Sequence, residues 1–455
     1  MQKILHVSDN PEHFSSIGSA LAQIPANNTT PVIIEIAPGI YHEKLTINKP
    51  YITLRGMGES SAHTVISYDD YALDLMEDGS KRGTFRTYTL FIDTHDVTLQ
   101  HLTIENASGD SATHGQAIAL YADGDRLMID SCRLLGHQDT LFTGPLPEKE
   151  RQPGGFIGPK QFAPRINGRQ YYKNCYICGD IDFIFGSATA YFEHCTLESL
   201  LRTKASAQSD LVSTTSTLHD SGSDTSALCH SNSDMVQKNY TLPPIQGYVT
   251  AASTPEGQEY GYIFSDCRFI SKDCPAGSVY LGRPWRDYAK TILISCELGA
   301  HIHPAGFHDW NRENTHDTVY YAEYASFPAT SDYRPLSDRA DFVQNLNEQQ
   351  AGYFAKELVL GDWAPDKLKF IYLILYKPCI FKAYRLFNVP TLCIFPCFCP
   401  YEPKQGKILC PADYFIQQPC GTALRFPCSV SVNVHCGTDI SVSEKFLHIF
   451  WGSSV

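Results

Sequence analysis

The chain has 455 residues, 43% of them apolar and 19% charged, with 31 Gly, 27 Pro and 16 Cys, which excludes collagen-like and disordered classes and leaves ample material for a large core. A formal charge of −13, with no basic arm or stripe to offset it, speaks against a nucleic-acid binder, and a polyanion would need a local basic site. The best apolar run, Phe370 to Tyr376, stops at Lys377, short of the roughly 20 residues of a membrane span, so neither nucleic acid nor membrane is expected as a partner.

In chain order, Met1 to Asn10 hold no long apolar stretch and no small-residue cleavage site. As written, the chain reads as cytoplasmic; if its start is incomplete, it reads as secreted. Val97-Thr-Leu-Gln-His-Leu-Thr-Ile104 opens a series of six similar short strands, with His101 where the later ones carry cysteine. The others are Met128 to Leu134, Tyr171 to Ile177, Tyr191 to Leu197, Ile263 to Phe269 and Ile292 to Leu298, centred on Cys132, Cys175, Cys195, Cys267 and Cys296. Recurrence of like strands every few tens of residues predicts an all-β solenoid, best fitted by a right-handed parallel β-helix with the cysteines stacked as free core thiols.

The spacing tests this. Cys175 to Cys195 and Cys267 to Cys296 each fit one coil, whereas Cys195 to Cys267 is too long. Residues 201–246 hold 15 Ser or Thr in 46 positions and read as a flexible polar insertion whose removal leaves one ordinary coil. The interval from Cys132 to Cys175 carries a second excursion over Thr143 to Gly168, rich in Pro and Gly. Composition then changes near Asp366. Residues 367–455 hold eight of the 16 cysteines, nine Lys/Arg and four Asp/Glu, so residues 1–366 carry −18. The expected organisation is a β-helix domain over 1–366 and an unrelated, poorly ordered or adventitious tail over 367–455, with no zinc-type cysteine spacing.

Aligned on their cysteines, Cys132-Arg-Leu-Leu-Gly-His-Gln-Asp139 and Cys175-Tyr-Ile-Cys-Gly-Asp-Ile-Asp182 run in register. Gly136 matches Gly179, and Leu141-Phe142 match Ile184-Phe185. Adjacent coils stack about 4.8 Å apart, which places the carboxylates of Asp139 and Asp182 side by side. Two such charges resist joint ionisation, so one carboxyl serves as an acid while the other stays an anionic nucleophile or base.

Gly136-His-Gln-Asp-Thr-Leu-Phe142, Gly179-Asp-Ile-Asp-Phe-Ile-Phe-Gly186 and Leu281-Gly-Arg-Pro-Trp285 resemble the hallmark segments of pectin methylesterases. Gly115 to Leu120, Gly247 to Thr254 and Pro304 to Trp310 also resemble family segments, in the family's order, and the likeness runs from about Phe14 to Trp363. It implies hydrolysis of galacturonate C6 methyl esters in homogalacturonan or its oligomers, with neither metal nor cofactor; a monomer is expected. It further implies Asp182 as nucleophile, Asp139 as general acid and then base, Gln138 as an oxyanion donor, and Arg283 as the guanidinium that holds Asp182. Gln116, Trp285 and Thr84 match substrate-contacting positions. Trp310 reads as buried, His137 and Asp180 as structural or rim groups, and Phe307, where the family often carries Trp, as a changed subsite.

Two other readings compete. Another polysaccharide-degrading β-helix enzyme would also use a carboxylate pair if a glycosidase, or a carboxylate cluster for calcium if a lyase. A catalytically inactive glycan-binding scaffold is the second.

Overall fold

Strand formation follows from alternation: in Leu127–Asp130 and in Ile52–Gly56, every second side chain is buried. The computed structural model describes residues 3–202, 243–329, 338–365, 414–417 and 423–426. Among them, three parallel sheets of eleven, nine and seven strands have spatial order equal to chain order. Each coil contributes a strand to each sheet and stacks on the coil before it, the topology of the right-handed parallel β-helix expected above.

Register is fixed at the corner between the eleven- and nine-stranded sheets. Ser131, Asn174, His194, Asp266 and Ser295 all take left-handed φ values of 52–56°. Short polar residues tolerate that region better than bulky ones. A buried cysteine follows each of them. The thiols of Cys175, Cys195, Cys267 and Cys296 each donate to a carbonyl of the preceding coil, at 3.2–3.4 Å. Cysteine therefore fills a narrow apolar corner while supplying a weak donor.

The six-strand reading needs one correction. Gln100 pairs with Asp130, and the Arg133 amide donates to the Leu102 carbonyl. Leu102, fully buried, occupies the cysteine place, and His101 with φ 56° is the corner residue. A single sequence has no feature that separates the two when a polar ring stands next to the apolar one.

All seven described cysteines are free, and burial pushes the Cys132 thiol up to about 12. Alkylation of native protein followed by peptide mapping should leave Cys132, Cys175, Cys195, Cys267 and Cys296 unlabelled until the chain unfolds. Early labelling of any one of them would contradict a closed ladder.

The seven-stranded sheet is apolar on both faces. Leu90, Leu120, Leu141 and Ile184 point into the helix core, while Phe91, Tyr121, Phe142, Phe185 and Ala251 form an outward ladder in strict register. Successive rings lie 4.7–4.9 Å apart. Phe85, Leu146 and Phe156 cover this ladder, the last two from the excursion that follows Leu141–Thr143. Each ring so buried contributes roughly 1.5–3 kcal/mol. Loops on the outside of the sheet are thereby anchored beside the carboxylates.

The long interval from Cys195 to Cys267 is a single rung, since the Arg268 amide donates to the Cys195 carbonyl. Most of the predicted insertion, residues 203–242, lies outside the described residues. Its entry and exit stack on the coil below: the Leu200 amide donates to Gly179 and the Tyr248 amide to Asp180. Contacts divide the chain at Pro365. In the second unit the described residues form one antiparallel pair, Tyr414–Gln417 with Ala423–Phe426; the rest of the predicted tail lies outside them.

Candidate active site

The turn Gly136 to Thr140 leads from the strand Arg133–Leu135 into Leu141–Thr143. Thr140 closes it by donating its hydroxyl to the Cys178 carbonyl at 2.8 Å. Gly179 sits where a Cβ would come within 2.3 Å of Phe183 Cβ and 2.4 Å of the His137 carbonyl, so only glycine permits this approach of the two coils. Of the glycines aligned by sequence, Gly179 lets the two turns come together, while Gly136 makes room for Thr140 within its own turn.

Asp139 and Asp182 share an unusual backbone, with φ of 68° and 49°. The Asp139 amide donates to the Ile181 carbonyl at 3.1 Å, and Leu141 pairs with Ile184, so the predicted offset of the two aspartates is met. On its other side, Ile181–Gly186 slips register against Gly247–Ala252 between Ile181 and Ile184. Such a bulge re-aims the side chain at its centre, here Asp182. Non-glycine residues in left-handed conformation store strain of order 1–3 kcal/mol each, a cost typical of functional turns.

Arg283 follows the strand Val279–Gly282. Its Nε donates to Asp182 Oδ1 at 2.9 Å and its Nη2 to Oδ2 at 2.7 Å, a two-pronged pair that fixes the carboxylate plane. The guanidinium lies between two rings, 3.9 Å from the centroid of Tyr248 and 3.8 Å from that of Trp310. Sequence reasoning left Trp310 buried and passed over Tyr248; together they hold the arginine. Their signal was faint, because Tyr248 and Trp310 are far from Arg283 in sequence and meet it only across coils.

Asp139 and Asp182 are only 7% and 6% exposed, yet only Asp182 has a partner. Among the described residues the Asp139 carboxyl makes no hydrogen bond or ion pair. Burial, and next the Asp182 charge, push it well above the usual carboxylate range, with Arg283 opposing and Asp180 adding to the rise. One carboxyl, its pKa pushed upward, therefore lies beside another held by a cation. Replacing Arg283 with Gln would leave Asp182 as an uncompensated buried charge, and unfolding measurements should find a loss of about 3–5 kcal/mol. A loss under 1 kcal/mol would mean that water already solvates the pair.

Three of the remaining sequence candidates, Thr84, Gln116 and Gln138, lie on or next to one line of backbone bonds. Gly83 donates to Ala72, Ala72 to Gln116, and Ala117 to Gln138. Thr84 opens a short 3-10 turn after Gly83, whose φ is 72°. Gln138 and Gln116 are half-buried, and neither side-chain amide has a partner among the described residues. Trp285 is half-buried against Phe185 and Phe156, at 5.6 and 6.2 Å between centroids. Phe307 does not line a subsite: it is 1% exposed and stacks on Tyr321 at 4.2 Å inside the core.

His137 and Asp180 meet near the dyad. Asp180, 1% exposed, accepts from Ser111 Oγ at 2.7 Å and from the Ile181 amide at 2.7 Å, with His137 Nδ1 at 3.4 Å. The hydrogen bond to Asp180 raises the His137 pKa. Ser111, absent from the sequence reading, ties a third coil to this anion. Among the described residues no three His, Cys, Asp or Glu side chains are grouped to hold a metal ion.

A profile of the family described as Pectinesterase matches residues 3–151, 165–243 and 236–362. Pectinesterase 31 of Arabidopsis thaliana is 28% identical over 354 residues, covering 76% of this chain and 88% of that protein. Pectin methylesterase PemA from Erwinia chrysanthemi superposes with a TM-score of 0.56 at 28% identity, over 80% of this chain and 98% of that one. A pectin methylesterase in complex with hexasaccharide VII gives the same TM-score and identity, over 79% and 98% of the two chains.

Proposed function

From the premise that the chain belongs to the pectinesterase family of carboxylic ester hydrolases, we propose that it removes C6 methyl esters from galacturonate units of pectin through an aspartyl acyl-enzyme. The observation that carries this reading is the pair of stacked carboxyls with opposed environments, Asp182 clamped by Arg283 and Asp139 with its pKa pushed well above the usual carboxylate range by burial. A pectin methylesterase with a bound hexasaccharide supports an oligomeric substrate lying on such a site.

Asp182 attacks the ester carbonyl carbon, and the carbonyl oxygen takes up the negative charge of the tetrahedral intermediate. The unpartnered amides of Gln138 and Gln116 supply donors for that oxygen, and a preorganised donor of this kind is worth roughly 3–4 kcal/mol. Asp139 gives its proton to the departing methoxy group, which leaves as methanol. An anhydride between Asp182 and the galacturonate carbonyl remains. Asp139, now a carboxylate, takes a proton from water, whose oxygen attacks the sugar-side carbonyl. This breaks the anhydride, frees Asp182 and releases the uronate. Trp285 offers a ring to the sugar, and Thr84 stands on the turn that borders Gln116.

Purified protein incubated with highly methylated pectin should release methanol and acid in equal amounts. New reducing ends would instead identify a glycosidase, an unsaturated product a lyase, and absence of product a binding scaffold. The acid role of Asp139 also sets a sign: acylation should fall as pH rises through its elevated pKa. A pH–rate profile of kcat/KM that keeps rising across the neutral range would assign the proton to another group.

A further inference from the structure

We propose that Asp180 is a positioning residue for the ester hydrolysis: a third buried carboxylate, held by Ser111 and His137, whose charge and backbone bonds bear on the turn that carries Gln138 and Asp139. The inference rests on the esterase reading above and adds to it a residue that acts on the acid rather than on the substrate.

The register that sets Asp139 beside Asp182 also sets His137 beside Asp180, two positions earlier in each coil. The Asp180 amide donates to the His137 carbonyl at 3.2 Å, and the Tyr248 amide donates to the Asp180 carbonyl at 3.2 Å, so this residue joins three successive coils through its backbone. Its side chain reaches a fourth. Oδ2 accepts from Ser111 Oγ at 2.7 Å and faces His137 Nδ1 at 3.4 Å, while Oδ1 accepts from the Ile181 amide at 2.7 Å.

These bonds do not by themselves call for a charge. A carboxylate only 1% exposed is costly to bury. An asparagine would accept from the Ile181 amide and exchange a hydrogen bond with the Ser111 hydroxyl without that cost. Among the described residues, the titratable and charged groups around Asp180 and its imidazole partner are Asp110 beside Ser111, Asp139, Asp182 with Arg283 and Tyr248, and Cys274 from the loop after Arg268–Ile270. Arg283 is committed to Asp182, so His137 is the cation that answers Asp180. The Asp180 charge also reaches the acid: burial and the Asp182 charge raise the Asp139 pKa first, and Asp180 adds to that rise. A carboxylate fixed beside the turn thus helps Asp139 keep its proton until methanol leaves.

The test is the pH profile of kcat/KM for methanol release from methylated oligogalacturonates by wild type, Asp180→Asn and Ser111→Ala. Asp180→Asn should move the falling limb to lower pH by about half a unit, and so slow the enzyme roughly three-fold at any pH above it. Ser111→Ala keeps the charge and should lower the melting temperature without moving the limb. Asp180→Thr, which drops the charge with a smaller polar side chain, repeats the test if the asparagine variant does not fold. In parallel, NMR titration of the imidazoles should find the His137 pKa lowered once the Asp180 charge is gone, a readout that needs no turnover. An unmoved limb in a folded variant without the charge overturns the proposal, as does an equal shift in Ser111→Ala or an unchanged His137 titration. A wild type that releases no methanol would overturn the esterase reading instead, whatever its His137 titration shows.

Discussion

Asp182→Asn should abolish methanol release, lowering kcat by about 10⁴-fold or more, and should also weaken the fold. The substitution removes the proposed nucleophile and leaves the Arg283 guanidinium facing a neutral amide. Its rings at Tyr248 and Trp310 remain, but they do not replace a bidentate carboxylate. Denaturant unfolding should therefore register a loss of about 3–5 kcal/mol. A variant that retained turnover would remove Asp182 from the covalent role, whatever its stability.

The same substitution one coil earlier should have the opposite effect on stability. Asp139→Asn should lower kcat by about 10³–10⁴-fold, since the proton for methanol and the base for water are both lost. It should nevertheless raise the melting temperature at neutral pH. The folded-state pKa of Asp139 is raised above its unfolded value. Its effect on stability is absent below the unfolded value and becomes increasingly unfavourable as pH rises from there to the folded pKa. Asparagine escapes that penalty. Thermal unfolding of both proteins should give nearly equal midpoints near pH 3 and a gap, in favour of the variant, that opens toward neutral pH. A wild type that stayed the more stable above the unfolded pKa would mean that the carboxyl is not the buried acid described here. In the proposed mechanism the two aspartates thus divide the work by environment, and the acid is the one that burdens the fold.

Much of this was legible in the sequence because a solenoid repeats its local rules. The cysteines marked the corner residue of each coil, and the alignment of Cys132 with Cys175 carried Asp139 onto Asp182 without any knowledge of the third dimension. Gly179 was visible for the same reason. Contacts that cross coils without repeating were not visible. Trp310 and Tyr248 reach Arg283 from separate segments, and Ser111 meets Asp180 across 69 residues. His101 was misplaced by one position because polarity alone does not say which of two neighbours turns the corner. Phe307 was read as a changed subsite by analogy with a tryptophan, whereas its stacking on Tyr321 belongs to the interior.

The interval between Leu200 and Gly247 has a consequence for how such a protein can change over evolutionary time. Both of its ends are hydrogen-bonded to the coil that carries Asp182, through Gly179 and Asp180. Each coil of a solenoid answers mainly to its neighbours, so chain added between those anchors need not disturb the rungs on either side. Lengthening a loop adds only about 0.6 kcal/mol of closure entropy per doubling. This interval is therefore a graft point, where new sequence can be acquired while the coil that carries Asp182 keeps its register.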